Sequence, residues 1–460
     1  MSVIALILSL IIIIIAAIYL YRKLNPPGVL LFAGLVMLTL ALLLHVQPVM
    51  PLKPTGSVVF DLIKIVEETF ISNISRAGLM IMTIGGYVSF MNHIEATNAL
   101  VYISMKPLGF FRRYPYLAAT ITIPIGQMLF ITTPSAAGLG LLLVASVYPV
   151  LISLGVSKLT ALSVIAAATL FDQGPGSANT ALAAELIGQT NVEYFITNQL
   201  PLVIPTTLVV MILFYLNNRY FDIKEAQKYT EEPIPKQYVK PLEYNVPLIF
   251  AILPVLPLIL LVIFSPYMEL FESSVKLDTT TSMIFSMFIS LVFVIIRTRS
   301  VRKTFETITS FWKGMGTVFA SIITLIVASE VFSKGLISLS FIDSLVNYST
   351  HLGLSGIVVA AVFSLIIFGA AMLMGSGNAA FFSFGPLLPD IAAKLGMPVY
   401  SLILPMQLAA SMGRAASPIA GIIVAIACVA GVSPIELAKR NTLPLLGSIV
   451  FLIAYHFFTL

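Results

Sequence analysis

Long apolar runs recur along the whole chain, and they decide the solvent in which it can fold. A helix needs about 20 mostly apolar residues to cross a bilayer, and the sequence offers about twelve such stretches. They begin near Val3, Gly28, Ala77, Pro115, Gly138, Leu159, Leu200, Val246, Ser282, Gly314, Ile357 and Leu402. Only 10% of the residues are charged and 58% are hydrophobic, which is too much apolar surface for one core in water. The sequence therefore predicts an all-α polytopic membrane protein.

Basic residues lie in short loops between these runs, where the positive-inside rule expects them on the cytoplasmic side. Arg22 and Lys23 follow the first run, which is typical of a retained anchor whose N-terminus lies outside. The net charge of +5 is therefore a topology signal, and we expect a lipid bilayer and no nucleic acid as partner. The single cysteine, Cys428, lies in an apolar run and is expected in the core.

The chain reads as two related halves joined by a charged, proline-bearing segment. Ser135 matches Ser376 at a separation of 241 residues, and Asn198 matches Asn441 at a separation of 243. A register kept over so many residues indicates an internal repeat. We predict a first repeat half at 1–216, a cytoplasmic linker at 217–243 and a second repeat half at 244–460.

Loop charge predicts opposite orientations for the matching spans. The basic cluster at residues 297–303 is expected inside, whereas the corresponding first-half loop, residues 47–56, has only Lys53 and is expected outside. The sequence thus predicts two inverted-topology repeats, an arrangement that lets one site face either side of a membrane. Both termini are expected in the periplasm.

Four polar breaks interrupt the apolar runs, two in each half. They are ITTPSAAG (131–138), DQGPGSANT (172–180), MGSGNAA (374–380) and SMGRAASPIAG (411–421). Unpaired backbone groups are costly in hydrocarbon, so helices break only where protein or a water-lined cavity satisfies them. Thr133-Pro134 and Ser417-Pro418 are predicted to begin helices, and a serine or asparagine is expected to cap the other two. Residues 131–153 and 374–396 are predicted to form re-entrant hairpins or their second arms.

Helix starts at these breaks would present free N–H groups and partial positive charge deep in the bilayer, which favours anions. Several such starts together suit a ligand with two negative ends. The predicted substrate-binding residues are Thr133, Ser135, Gly138, Ser177, Asn179, Ser376, Gly377, Asn378, Arg414 and Ser417.

Arg414 is the sharpest candidate because long apolar runs flank it. An arginine at the centre of a membrane helix costs at least about 2.5–3.5 kcal/mol on insertion scales and usually lines a site or cavity. A guanidinium binds a carboxylate through two parallel hydrogen bonds, so we predict a carboxylate clamp. The alternative is an arginine at a cytoplasmic loop end, or a structural partner of Asp172 or Asp390.

Two acids are candidates for ion coupling. Asp172 opens the second break, and Glu330 lies late in the span that begins at Gly314. Buried carboxylates are suited to carry protons because burial favours the protonated form. The alternative for Glu330 is an ion pair with Lys334, four residues further on. The coupling ion is left open between Na+ and H+, and we expect no cofactor and no metal site.

The broken segments resemble those of the DcuC family of bacterial C4-dicarboxylate transporters, and the resemblance runs nearly end to end. It is densest in GSGNAAFFSF (375–384), SMGRAASPIAGIIVAIA (411–427) and SAAGLGLLL (135–143). The family's GSGN and GR..SP segments match residues 375–378 and 413–418. The chain departs from the family at residues 176–179, where Gly-Ser-Ala-Asn stands in place of Thr-Ser-Gly-Asp.

This resemblance implies uptake, exchange or efflux of succinate, fumarate, malate or aspartate across the bacterial cytoplasmic membrane, often under anaerobic conditions. It also implies a scaffold, a moving transport domain built on re-entrant hairpins, and a homodimer.

We therefore predict a secondary active transporter for small dicarboxylates, and not an enzyme. One alternative is the same architecture with another small anion, and a second is a cation/proton antiporter centred on Asp172 and Glu330. An intramembrane enzyme would need a nucleophile–base pair or a metal cluster. The sequence contains no P-loop, dinucleotide fingerprint or HExxH motif.

Overall fold

The computed structural model describes residues 2–105, 113–226, 246–264, 277–344 and 355–459, except for six single positions. Those six are Lys23, His45, Gln47, Pro48, Ile342 and Asp343. The described residues form helices joined by turns, with no strand among them. The all-α prediction is confirmed.

The N-terminal part of the chain contains one long helix with a π turn. The helices are α1 (Ser2–Tyr21), α2 (Pro26–Leu43), α3 (Val58–Asn73), α4 (Leu79–His93) and α5 (Ala96–Met105). The side chain of Asn25 caps α2 by accepting from the Gly28 N–H at 2.9 Å, and prolines fill the first turn. The π turn Ile74–Gly78 joins α3 to α4, so the chain is helical from residue 58 to residue 93.

The rest of the first half is interrupted at both predicted breaks. It contains α6 (Pro115–Thr132), α7 (Ala136–Ser146), α8 (Tyr148–Ser153), α9 (Lys158–Ala167), α10 (Ala178–Ile187), α11 (Asn191–Tyr194) and α12 (Leu200–Ala226). Gly155 and Gly188 follow α8 and α10 with φ angles of 87° and 73°, in the left-handed region that glycine tolerates.

The described part of residues 244–460 contains ten further α-helices. They are α13 (Leu256–Ile263), α14 (Thr279–Thr298), α15 (Val301–Val318), α16 (Thr324–Ser338), α17 (Gly356–Met374), α18 (Gly377–Phe384), α19 (Leu388–Leu395), α20 (Val399–Ala415), α21 (Gly421–Ala430) and α22 (Pro434–Thr459). The π turn Phe319–Ile323 joins α15 to α16, just as the π turn Phe195–Gln199 joins α11 to α12 in the first half. Left-handed glycines again follow two of the short helices, Gly396 after α19 and Gly431 after α21.

The helical segments α3–α4 and α15–α16, each with a π turn, pack against each other in opposite directions. Asn73 contacts Glu330 while Thr69, one turn earlier, contacts Lys334, one turn later, so α3 runs antiparallel to α16. The contact between α4 and α15 is close at Gly314, where a Cβ would lie 2.7 Å from the Gly85 carbonyl oxygen of α4. Small residues permit this approach of two membrane helices.

Eight helical segments of the described residues are long and apolar enough to cross a membrane. Four further apolar helices are shorter, among them α9 and α21, which adjoin the breaks. The count of about twelve spans stays a prediction.

The structure differs from the sequence prediction at the start of the linker and at the cysteine. The linker was predicted to begin at residue 217, but α12 continues to Ala226, and the side chains of Asn217, Asn218 and Asp222 are buried. Residues 227–243 of the predicted linker lie outside the described residues. Cys428 is exposed, so the prediction of a core cysteine was wrong.

Candidate functional site

The break between α9 and α10 is a buried segment of non-helical backbone. All residues from 168 to 177 are buried, so their peptide groups need partners inside the protein. Side chains from other helices supply four of these partners. Arg414 donates to the Thr169 carbonyl (2.5 Å), Gln407 to the Asp172 carbonyl (3.2 Å) and Asn191 to the Pro175 carbonyl (3.0 Å), while the Gly174 N–H donates to the Gln199 side-chain oxygen (3.0 Å).

Asp172 lies at the centre of this break. Its Oδ1 accepts from the Ser177 hydroxyl at 2.6 Å, and its Oδ2 accepts from the Asn179 side-chain amide at 3.2 Å. The Ser177 oxygen in turn accepts from the backbone N–H groups of Asn179 and Thr180 at 3.1 and 3.3 Å, which caps α10. The predicted cap at Ser177 is confirmed, and it holds a buried carboxylate beside a helix start.

Asn179 joins the two halves of the chain. Its side-chain amide also donates to Asn378 Oδ1 at 3.2 Å, so the first turns of α10 and α18 meet. The Ser376 hydroxyl oxygen accepts from the Ala379 N–H at 3.1 Å and caps α18, as predicted. A break from the first half and a break from the second half therefore contribute to one cluster.

The start of α18 is pressed against α20 at Gly377. A Cβ at this position would lie 2.8 Å from the carbonyl oxygen of Ala410, a separation that real Cβ atoms essentially never show. Glycine is therefore required for the close approach. One turn further along α20 comes Arg414.

Arg414 is buried in the last turn of α20. One guanidinium nitrogen donates to the Thr169 carbonyl, and the group lies over the Phe130 ring at 5.6 Å from its centroid. The charge of Arg414 is attracted by that of Asp172, although no carboxylate oxygen of the described residues lies within 4.0 Å to make an ion pair. The guanidinium thus lies beside the break with part of its hydrogen-bonding capacity unused.

Several buried polar atoms around the break have no hydrogen-bond partner among the described residues. They are Asn179 Oδ1, Gln173 Oε1, Ser411 Oγ and Arg414 Nε. Buried polar atoms are almost always paired, and each unpaired one in a protein calls for an explanation such as a ligand, an ion or water. The unpaired atoms include donors, which suit a bound anion, and acceptors, which suit an accompanying cation.

The remaining predicted residues lie at the other two breaks. A Cβ at Gly174 would lie 2.6 Å from Ile131, so the end of α6 adjoins the buried segment. Thr133, Ser135 and Gly138 follow Ile131, yet no hydrogen bond of the described residues joins their side chains to the Asp172 cluster. Ser417 is buried three residues after Arg414, whose carbonyl accepts from the Ser417 N–H at 3.1 Å.

Two of the predicted helix starts are wrong by two or three residues. The helix after Thr133-Pro134 begins at Ala136 and has Ser135 as its N-cap residue, without a side-chain hydrogen bond. The helix after Ser417-Pro418 begins at Gly421 and has Ala420 as its N-cap residue. In both cases the proline lies in the non-helical segment rather than in the first turn.

Glu330 lies in a different cluster from Asp172. Its carboxylate makes an ion pair with Lys334 at 3.1 Å and accepts from the Asn73 amide at 2.7 Å, while Lys334 donates to Thr69 at 2.7 Å. The ion pair with Lys334 was the alternative interpretation of this acid and is confirmed. Among the described residues, the hydrogen bond and ion pair of Glu330 involve α3 and α16 and do not reach the break.

Sequence reasoning missed Tyr194 and Gln407, which stabilise the backbone of the break through hydrogen bonds. The Tyr194 hydroxyl donates to Gln407 Oε1 at 2.8 Å, and Gln407 donates to the Asp172 carbonyl. Gln407 lies in the otherwise apolar segment SLILPMQLAAS, so a polar residue inside an apolar run was the available signal.

It also missed a buried ion pair between α12 and α22. Arg440 Nη1 lies 3.2 Å from Asp222 Oδ1, with the two side chains 2% and 7% exposed. Asp222 further accepts from the hydroxyls of Ser157 and Thr160 at 2.8 Å each, and from Tyr116 at 3.2 Å. Asp222 lies in the charged segment that was predicted to be the linker, so its burial was not predicted.

The apolar helices and the gathered polar breaks define a polytopic membrane protein with the architecture of a transporter. The fold is shared with the Neisseria gonorrhoeae protein MtrF, described in a study of a class of antimetabolite efflux pumps. The TM-score is 0.65 at 14% identity, over 95% of this chain and 96% of that chain. The Alcanivorax borkumensis YdaH transporter matches with a TM-score of 0.60 at 14% identity, over 95% of this chain and 99% of that chain.

Sequence comparison then identifies the family. The family model described as DcuC, C4-dicarboxylate anaerobic carrier, matches residues 4–460, so the chain belongs to the DcuC family. It is 31% identical to a probable anaerobic C4-dicarboxylate transporter DcuC of Vibrio cholerae, over 95% of this chain and 93% of that protein. It is 29% identical to the anaerobic C4-dicarboxylate transporter DcuC of Escherichia coli K12, over 98% of this chain and 95% of that protein.

Proposed function

We propose that the protein is a secondary active transporter that moves C4-dicarboxylates such as succinate, fumarate, malate or aspartate across the bacterial cytoplasmic membrane. Membership of the DcuC family supports the substrate class. The observation that carries the mechanism is the meeting of the α10 and α18 starts through Asn179 and Asn378, with buried Arg414 nearby.

Each end of a dicarboxylate has a partner of suitable chemistry in this arrangement. Arg414 binds one carboxylate through its guanidinium, whose Nε has no partner among the described residues. The N-terminal turns of α10 and α18 attract the other carboxylate with N–H groups and the helix dipole. Ser177, Ser376, Gly377 and Asn378 lie in or directly before these turns. The proposed site also includes Thr133, Ser135, Gly138 and Ser417, which lie at the other two breaks.

An inverted repeat would account for the meeting of a break from each half at Asn179 and Asn378. In this repeat α6–α10 correspond in order to α17–α21, and α12 corresponds to α22. Left-handed glycines stand at matching places, Gly155 with Gly396 and Gly188 with Gly431. The matching helices α12 and α22 cross antiparallel, since Leu213 lies against Gly447 and Asn217 against Arg440. Antiparallel packing of corresponding helices is what a two-fold axis in the membrane plane produces.

Asp172 is the proposed coupling acid, with Na+ or H+ as the coupling ion. It is buried, it contacts the two residues that line α10, and Asn179 Oδ1 beside it has no partner among the described residues. Glu330 was the second candidate, and its ion pair with Lys334 favours a structural role in the contact between α3 and α16. The proposed unit in the membrane is a homodimer with periplasmic termini.

The proposal is tested with Arg414→Ala in proteoliposomes loaded with succinate, with and without a Na+ or pH gradient. We expect loss of succinate uptake with unchanged membrane insertion, because the guanidinium provides the only full positive charge at the described part of the break. Arg302→Ala is the control, since its side chain is 91% exposed. Normal uptake by Arg414→Ala would remove Arg414 from the site.

A competitor panel separates this function from transport of another anion. Excess fumarate, malate or aspartate should suppress succinate uptake, whereas monocarboxylates and inorganic oxyanions should not. Suppression by only the latter group would assign the site to another anion. Cation exchange without any dicarboxylate, abolished by Asp172→Asn, would instead indicate an antiporter.

A further inference from the structure

Asn441 is a fully buried residue of α22 that contacts two other helices through one side chain. Its amide nitrogen donates to the carbonyl oxygen of Ala415 at 3.0 Å. Its amide oxygen accepts from the Ser163 hydroxyl at 2.7 Å. Both partners belong to helices that end at the breaks, α20 and α9 respectively.

The bond to Ala415 is made at the turn that bears Arg414. The last carbonyls of a helix have no partner within the helix and must find one elsewhere. At the end of α20, the Gly413 and Arg414 carbonyls accept from backbone N–H groups of the following segment, whereas the Ala415 carbonyl accepts from Asn441. The last turn of α20 is thus fixed by a side chain from α22.

The bond to Ser163 connects Asn441 to α9, the helix that leads to the carbonyl to which Arg414 donates. Ser163 lies on α9, and two residues after α9 ends the Thr169 carbonyl accepts from Arg414 at 2.5 Å. Asn441 therefore contacts both the helix that carries the guanidinium and the helix that leads to its acceptor.

The residue before Asn441 anchors α22 to α9 as well. Arg440 pairs with Asp222, and Asp222 accepts from the hydroxyls of Ser157 and Thr160, both at the start of α9. This buried ion pair sets the position of α22 along α9, so that Asn441 faces Ser163.

We propose that Asn441 is a positioning residue for Arg414, and hence a determinant of carboxylate affinity that does not touch the substrate. This inference rests on the proposed function, in which Arg414 binds a substrate carboxylate. Without Asn441, the last turn of α20 loses the bond that fixes its final carbonyl, and the guanidinium is no longer held in one place relative to Thr169.

The chain offers a matched control at Asn198, which stands in the corresponding place of the first half. Its amide donates to the Gln189 side chain at 2.8 Å and contacts neither α9 nor α20 through that bond. Asn198→Ala removes the same atoms from a partly buried asparagine, while the bonds at Arg414 stay intact.

The experiment compares Asn441→Ala and Asn198→Ala for succinate uptake in proteoliposomes and for thermal stability in detergent. We expect Asn441→Ala to raise the KM about five- to tenfold, the equivalent of one lost hydrogen bond at the binding residue, with Vmax close to wild type. Asn198→Ala should keep the wild-type KM. Combining Asn441→Ala with Arg414→Lys should raise the KM no further than Arg414→Lys alone, because both act through the guanidinium.

Different outcomes contradict different statements. If Arg414→Lys leaves the KM unchanged, the proposed role of Arg414 fails, whatever Asn441 does. If Arg414→Lys raises the KM but Asn441→Ala behaves like Asn198→Ala, or if the two effects simply add, the positioning role fails and the transport function stands. Should Asn441→Ala not accumulate in the membrane, Ser163→Ala takes its place, and an unchanged KM in that variant also refutes positioning.

Discussion

Gly413 is the residue at which one added methyl group should separate two helices of the site. It lies in α20 directly before Arg414 and faces α17. A Cβ there would lie 2.2 Å from the carbonyl oxygen of Phe368 and 2.9 Å from the Ala371 Cβ. Because the nearest atom is backbone, no side-chain rotation relieves the clash.

The cost of Gly413→Ala follows from this geometry. Moving the contact from 2.2 Å to the 3.0 Å that real Cβ atoms require separates the helices by about 0.8 Å. Overpacking costs about 1–3 kcal/mol, and a backbone clash belongs at the upper end of that range. Alanine offsets about 1 kcal/mol of this cost, because its helix propensity is higher than that of glycine. We expect a net loss of about 2 kcal/mol in the free energy of unfolding.

Gly369→Ala in α17 is the matched control. A Cβ at Gly369 would meet nothing within 4 Å, so the same substitution should stabilise the protein by up to about 1 kcal/mol. The two variants are compared by heating detergent-solubilised protein and measuring the fraction that stays monodisperse. Uptake of succinate should fall at least about tenfold for Gly413→Ala, since a shift near 1 Å at the adjacent Arg414 misplaces the guanidinium. A Gly413→Ala protein that melts at or above the wild-type temperature and transports normally would refute the close approach of α17 and α20.

Two further predictions concern buried charges. Asp222→Ala removes the carboxylate that pairs with buried Arg440 and should lower the free energy of unfolding by about 3–5 kcal/mol. Glu306→Ala, in an exposed pair, is the control and should change it by less than about 1 kcal/mol. Equal melting temperatures of the two variants would contradict the buried ion pair. Asn179→Asp places a second carboxylate in contact with Asp172 and should abolish succinate uptake. Adding Asp172→Asn should restore uptake, because one acid then remains. A double variant without uptake would show that the acid must be at Asp172 itself.

The breaks were predictable from the sequence because they follow from local chemistry. Glycine, serine and asparagine inside apolar runs indicate helix ends, and Ser177 and Ser376 cap α10 and α18 as that chemistry predicts. The sequence predicted that breaks from the two halves meet, but it did not predict the contact between Asn179 and Asn378. Its actual partners depend on how two helices 199 residues apart in the chain pack together.

Burial of the α12 terminus was not predictable in the same way. Residues 217–226 are polar enough to suggest the start of a linker. Their burial depends on the packing of α9 and α22 against α12, which encloses Asp222 and Asn218. The exact helix starts after Pro134 and Pro418 were wrong for a related reason. A proline favours the first helical turn, but it is equally compatible with the extended backbone that a tertiary contact imposes.

Asp172 and Arg414 stand 242 residues apart, between the separations of 241 and 243 that relate the two halves. In the proposed repeat they therefore occupy corresponding breaks, one with an acid and the other with a base. A dicarboxylate with two like ends consequently meets two unlike partners. The bound dianion and Asp172 together carry three negative charges against the single positive charge of Arg414, an imbalance that a buried site cannot sustain. The proposed function therefore predicts that each dicarboxylate is taken up with at least one cation bound at Asp172, because a carboxylate bound to Arg414 neutralises the positive charge nearest to Asp172. Uptake of succinate that is independent of both the Na+ and the pH gradient would contradict this prediction.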